Sequence, residues 1–103
     1  MTTLNDLEVG ALLGTPTRVT DGTTTQIRDK PAVLHRILVG AAPAANRTIT
    51  LRNGDEDTDP IVTQVVIPAA ISYPVVPLGL HFSAGLRAIF SGAVDVTFIW
   101  TPG

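Results

Sequence analysis

Residues 79–100 read GLHFSAGLRAIFSGAVDVTFIW, and this stretch decides the fold class. From Val94 onward apolar and polar residues alternate, which is the period-two pattern of a strand with one buried face. A second apolar run, residues 86–90, precedes it, and the Ser91-Gly92 pair between them is typical of a turn. We therefore expect a hairpin that closes the chain, with Ile99 on its outer face and four residues in the interior: Val94, Val96, Phe98 and Trp100.

The rest of the chain is also a series of short strand-like segments separated by turn signals. Asp21-Gly22 between two threonine-rich runs predicts a polar hairpin. Residues 33–39 are apolar on both faces, which is typical of a central strand. Pro74 and Pro77 exclude a helix over residues 69–80 and favour an edge strand or an irregular extended segment. The sequence predicts an all-β fold, a single antiparallel β-sandwich of about eight strands with jelly-roll or immunoglobulin-like topology.

The chain divides into a short N-terminal segment and one domain. Apolar residues in the first fourteen positions recur at spacings of three and four, so residues 1–15 are expected to form an arm or a short helix. Residues 16–103 are expected to form the sandwich domain. With 103 residues, the chain has the length of one domain and a modest core.

Composition limits the function classes. Charged residues make up 16% of the chain and apolar residues 45%, with a formal net charge of -2. The few basic residues are scattered, which argues against a nucleic-acid partner. Cysteine is absent, so disulfides and thiolate chemistry are excluded. Neither a signal peptide nor an apolar run long enough for a membrane span is present, and we expect synthesis in the host cytoplasm without a membrane partner.

Candidate chemical groups are few. Three carboxylates at alternate positions, Asp55, Asp57 and Asp59, resemble the first half of a calcium loop, but Pro60 stands where the loop needs glycine. They are therefore weak metal candidates, and a solvated acidic turn is the favoured interpretation.

Other reactive side chains also lack a partner group. His35 and His81 have no metal ligand or acid-base partner at a suitable spacing. Ser83 and Ser91 lie outside any nucleophile motif, so both are interpreted as turn serines. The sequence predicts no catalytic residue, no cofactor and no enzymatic activity.

An excess of apolar strand faces points to assembly. Residues 33–39 and 61–67 are apolar on both faces, whereas a two-layer sandwich buries only one face of each sheet. Combined with the low charge, this favours a homo-oligomer or a module docked on a larger assembly. The predicted interface residues lie on the outer strand faces and in the proline-bearing segment: Ile89, Ile99, Tyr73 and Val75.

The chain resembles small β-sandwich virion proteins of tailed bacteriophages, of the capsid decoration or cement class. The likeness lies in VLHRILV at 33–39, TITLRNG at 48–54 and GLRAIFSGAVDVTF at 85–98. It covers about two thirds of the chain and transfers no functional residue. It implies a structural role in the virion, often as a trimer bound to the major capsid protein or its neighbours.

Two alternatives remain open at this point. A tail or head-tail connector component would use the same structural features. A carbohydrate-binding or receptor-binding module would use Tyr73, Trp100 and the acidic turn with calcium.

Overall fold

The structure, a computed structural model, describes residues 14–69 and 75–103. Within these ranges it forms eight strands and no helix. The strands are β1 Thr15–Val19, β2 Thr25–Arg28, β3 Ala32–Ala41, β4 Arg47–Asn53, β5 Ile61–Ile67, β6 Val75–Phe82, β7 Leu86–Phe90 and β8 Asp95–Pro102. The predicted all-β sandwich is confirmed. The expected N-terminal arm or helix lies almost wholly outside the described residues.

Two four-stranded antiparallel sheets make up the sandwich. The first sheet has the order β1-β8-β3-β6, and the second has the order β2-β7-β4-β5. Pairing is therefore nested: β1 pairs with β8, β2 with β7, β3 with β6, and β4 with β5. This is the topology of a jelly roll, in which one long antiparallel ribbon is rolled into two sheets.

The nested pairing corrects the two hairpins expected from local sequence. β1 and β2 belong to different sheets, as do β7 and β8. The turns themselves are present. Gly22 has a φ of 77°, and the Asp21 carboxylate accepts the Thr23 N–H at 3.0 Å. A Cβ on Gly22 would collide with the backbone of Gly92, because the two loops lie against each other. Each turn carries the chain across the sandwich instead of returning it beside the previous strand.

One core fills the space between the sheets. Phe82, Phe98, Leu34, Ile49 and Leu51 are among its fully buried side chains. Successive side chains of a strand point to opposite faces of the sheet, so every second residue of a strand points into the core. The predicted interior residues of β8 and the preceding loop follow this pattern. Val94, Val96 and Phe98 are buried, whereas Trp100 is half-buried and packs against the core.

Contacts between the sheets show which strands face each other. The Phe90 ring of β7 lies edge-on to Phe98 of β8, with centroids 6.1 Å apart. The Arg28 guanidinium at the end of β2 lies 5.2 Å from the Trp100 ring centroid in β8. β2 and β7 therefore face β1 and β8, and β5 and β4 face β6 and β3. We call the two lateral edges of the sandwich the β1/β2 side and the β5/β6 side.

Candidate interaction surface

Exposed apolar side chains gather on the β5/β6 side. Among the described residues, four large apolar side chains are exposed, and all belong to β5 or β6. They are Ile61 at 50%, Val62 at 38%, Val66 at 59% and Val75 at 43% exposure. Val75 lies on the outer face of one sheet, and Val62 and Val66 lie on the outer face of the other, so this side carries two apolar areas. Exposed apolar areas on a small protein are typical of interaction surfaces. On the other side of the sandwich, the exposed side chains of β1 are instead Thr15, Pro16 and Arg18.

β5 contributes most of this surface because of its place in the sheet. It is the last strand of its sheet, so its far edge has no strand partner within the described part of the chain. The strand pairs with β4 so that Val66 lies opposite Thr48 and Gln64 opposite Thr50. These residues share the outer face, since Ile49 and Leu51 of β4 face the core. A register shift next to Arg52 sets both Ile61 and Val62 against that one residue.

Val75 lies at the start of the other edge strand of this side. It pairs with Leu38 on the outer face of its sheet, and Pro77 follows opposite Arg36. Val76, Leu78 and Leu80 alternate with these positions and pack against the core. Val75, one of the four predicted interface residues, is therefore exposed on the outer face of its sheet. Tyr73, which was predicted beside it, lies outside the described residues.

The other two predicted interface residues are less accessible. Ile89 of β7 is half-buried on the outer face of its sheet, opposite Thr50. Ile99 lies on the outer face of β8, as expected, but its side chain is only 8% exposed. Pro16 and Arg36 flank it on the neighbouring strands, and the backbone at Gly14 lies close to it. An outward-facing position on a central strand is therefore covered by its neighbours.

The acidic turn between β4 and β5 is held together by its own carboxylates. The Asp59 carboxylate accepts the backbone N–H groups of Asp55 and Glu56, both at 2.9 Å. The Asp57 carboxylate forms an ion pair with Arg87 at 2.7 Å. No group of three or more potential metal-ligating side chains occurs within residues 14–69 and 75–103. Two of the three weak metal candidates thus serve the turn and its anchor to β7.

Hydrogen bonds to the main chain fix the same turn to the sheet. The Arg52 guanidinium donates to the Asp59 carbonyl oxygen at 2.6 Å. The Gln26 amide donates to the Gly54 carbonyl at 2.8 Å, and its carbonyl oxygen accepts from Arg87 at 3.0 Å. These contacts position the chain as it enters β5, so the start of the exposed edge is anchored to three strands.

The histidines and serines make local contacts. His35 Nε2 lies 2.8 Å from the Thr101 hydroxyl, and His81 is exposed on the outer face of β6. The Ser91 hydroxyl accepts the Thr48 N–H at 2.8 Å, and the Ser83 hydroxyl accepts from the Asn53 amide at 3.0 Å. Both serines connect loops to β4, as expected of turn serines. The structure brings none of these four side chains into contact with another.

Two carboxyl groups on the β1/β2 side have lowered pKa values. Arg18 donates two hydrogen bonds to Asp95, both at 3.1 Å, and this contact lowers the pKa of the Asp95 carboxyl. The same contact raises the pKa of Arg18. The Thr23 N–H lowers the pKa of Asp21 through its hydrogen bond. Neither carboxyl group is buried, and each accepts its hydrogen bonds from another residue of this chain: Asp95 from Arg18, and Asp21 from the Thr23 N–H.

Sequence reasoning identified β5 as apolar on both faces but did not single out its side chains. Ile61, Val62 and Val66 are the exposed apolar residues it missed. The available signal was a seven-residue run without charge, proline or glycine between Pro60 and Pro68. Such a run is compatible with either a central or an edge strand, and only the nested pairing decides between them.

Comparisons with known proteins do not assign a family. No protein-family model matches the chain, and no curated protein matches it. Within the described residues, no helix is long and apolar enough to cross a membrane.

Proposed function

We propose that this protein is a non-enzymatic structural protein of a tailed-bacteriophage virion, a decoration or cement protein that binds the capsid and stabilises it. The observation that carries the proposal is the concentration of exposed apolar side chains on one side of a jelly roll. Viral capsid domains are among the proteins that use this topology. Because fold alone does not specify function, the proposal depends on the surface as well.

The surface suits attachment to another protein shell. Interfaces exclude charge from their centres and use apolar contacts surrounded by polar groups. Val75, Leu38 and Pro77 provide such a centre on the outer face of β3 and β6. Arg36 lies opposite Pro77, and His81 lies four residues further along β6 on the same face. A docked jelly roll that covers the joint between two capsid subunits would stabilise the shell by mass action, since it binds only the assembled form.

Binding to capsids tests the proposal. Capsids from the phage that encodes this chain, prepared without it, are incubated with the purified protein and separated by sedimentation. We expect the wild-type chain to sediment with the capsids and to raise the temperature at which they open. Val75→Asp should abolish co-sedimentation. Thr24→Asp, a matched charge change at an exposed position on the β1/β2 side, should not.

The location in the particle separates the proposal from its closest alternative. Cryo-electron microscopy of the virion should show jelly-roll density on the outer shell at joints between major capsid subunits. Density on the tail or at the head-tail connector would instead assign the chain there. Absence of the chain from the particle would overturn the structural role altogether.

A further inference from the structure

We propose that the free edge of β5 pairs with β5 of a second copy of this chain, antiparallel and about a two-fold axis at Gln64. The two sheets that contain β5 then join into one continuous eight-stranded sheet. This proposal concerns self-association and does not depend on the capsid assignment. It differs from the threefold assembly that the resemblance implies, because two-fold contacts close with two copies.

The first argument is that β5 lacks the protection found on the other edge strands. β1 carries Pro16 and Arg18, and β2 has only four residues with a register shift. β6 contains Pro77 and Gly79. Proline, charge, short length and bulges are the features that keep sheet edges from pairing with other chains. β5 has seven residues and, beyond the bulge at its start, none of these features.

The second argument is that the sequence of β5 is nearly the same in both directions. Residues 61–67 read IVTQVVI, and the reversed sequence differs only by exchange of Thr63 and Val65. Antiparallel pairing about Gln64 sets Val62 against Val66 of the second copy and Thr63 against its Val65. Both partners at each position are β-branched, which is favourable in cross-strand pairs.

The third argument concerns the outer face at the axis. Val62, Gln64 and Val66 share this face. In the dimer, each valine would therefore lie opposite a valine of the second copy, and Gln64 would lie opposite the second Gln64. Two glutamine amides at the axis can each donate to and accept from the other. The exposed areas of Val62 and Val66 would then be covered by one another across the new ladder. Main-chain groups at the edge of β5 would gain hydrogen-bond partners in the same step.

Charge selects the antiparallel arrangement. The acidic turn, residues 55–59, ends two residues before Ile61, and Arg47 lies opposite Ile67 at the other end of the strand. Parallel pairing would place the two acidic turns side by side. Antiparallel pairing separates them by the length of the strand, roughly 20 Å, which exceeds the Debye length of about 8 Å at physiological salt. It also brings each acidic turn to the end of the other copy that carries Arg47.

Sedimentation velocity of the full chain tests the stoichiometry. We expect a reversible dimer of twice the 10.8 kDa chain mass. Gln64→Lys and Gln64→Glu should each weaken dimerisation by about tenfold or more, because two like charges would meet at the axis. An equimolar mixture of these two variants should restore the dimer. Thr24→Lys is the matched control on the β1/β2 side and should dimerise like the wild type.

Cysteine cross-linking tests the register, since the natural chain has no cysteine. Directly opposed residues have Cα atoms about 4.5 to 5.5 Å apart, within the span of a disulfide. Under oxidation, Gln64→Cys should form a covalent dimer on its own. Val62→Cys and Val66→Cys should cross-link with each other when mixed, and neither should form a covalent dimer when oxidised separately.

Three results would overturn the proposal. One is a wild-type chain that stays monomeric up to its solubility limit, and another is a trimer as the stable species. The third is a dimer that the charged Gln64 variants leave unchanged. Circular dichroism of each variant verifies that loss of the dimer does not arise from loss of the fold.

Discussion

The two lateral edges of this sandwich are each formed by the edge strand of both sheets, yet they present different surfaces. On the β1/β2 side, proline, arginine and threonine cover the strands, and the Arg18–Asp95 ion pair connects β1 to β8. On the β5/β6 side, four apolar side chains are exposed. Both edges enclose the same core. The difference therefore lies in the side chains that each edge exposes and not in the core that the two edges share.

The largest expected effect concerns the core that both sides share. Phe98 is fully buried in β8, against the Phe90 ring. Phe98→Ala should lower the free energy of unfolding by about 3 to 5 kcal/mol, through lost burial and the cavity that remains. Urea unfolding followed by tryptophan fluorescence measures this loss. A loss below about 1 kcal/mol would mean that the two sheets are not held together at this contact.

The next prediction compares two outward-facing residues, one covered by its neighbours and one exposed. Ile99→Asp should lower the free energy of unfolding by about 2 kcal/mol or more, because its covered site cannot hydrate a carboxylate. Val66→Asp should change it by less than about 0.5 kcal/mol, because that side chain is already exposed. The same urea titration measures both, at a concentration where the wild type is monomeric. Equal losses would contradict the contrast between a covered and an open outer face.

Phe98 and Ile99 also show how much can be predicted from the sequence alone. Alternation along β8 predicted the faces of Phe98 and Ile99, because side-chain direction follows from strand geometry. It did not predict that Ile99 is covered, since coverage depends on Pro16 and Arg36 in strands distant along the chain.

The allocation of strands to sheets lay beyond local pattern for the same reason. Asp21-Gly22 and Ser91-Gly92 specify turns, but a turn does not state whether the next strand stays in the sheet. Thr17 and Trp100, which share a hydrogen bond, are 83 positions apart. The edge position of β5, and hence the candidate surface, follows because β4 has β7, a strand distant along the chain, as its second neighbour.

A smaller effect is expected in the turn that leads into β5. Asp59→Ala removes the acceptor for two backbone N–H groups and should lower the free energy of unfolding by about 1 kcal/mol, as loss of a helix cap does. Asp59→Asn retains an acceptor oxygen, so its free energy of unfolding should fall by less than that of Asp59→Ala. Thermal unfolding of the two variants measures the difference. Identical losses would show that the charge of Asp59, and not its hydrogen bonds, holds the turn.

The smallest effect is expected from the ion pair on the β1/β2 side. Because Arg18 lowers the pKa of Asp95 below its ordinary value of 3.8, the contact stabilises the fold above that pH. The contribution should disappear as pH falls through the lower, folded-state pKa, where the carboxylate gains a proton. Asp95→Asn removes this titration, so its stability should fall less steeply than that of the wild type between pH 5 and pH 2, by about the effect of one exposed pair. Thermal unfolding at low salt across this range measures both slopes. Parallel curves for Asp95→Asn and the wild type would mean that β1 is held at its edge by the ladder to β8 alone, and that its arginine serves only to keep other strands away.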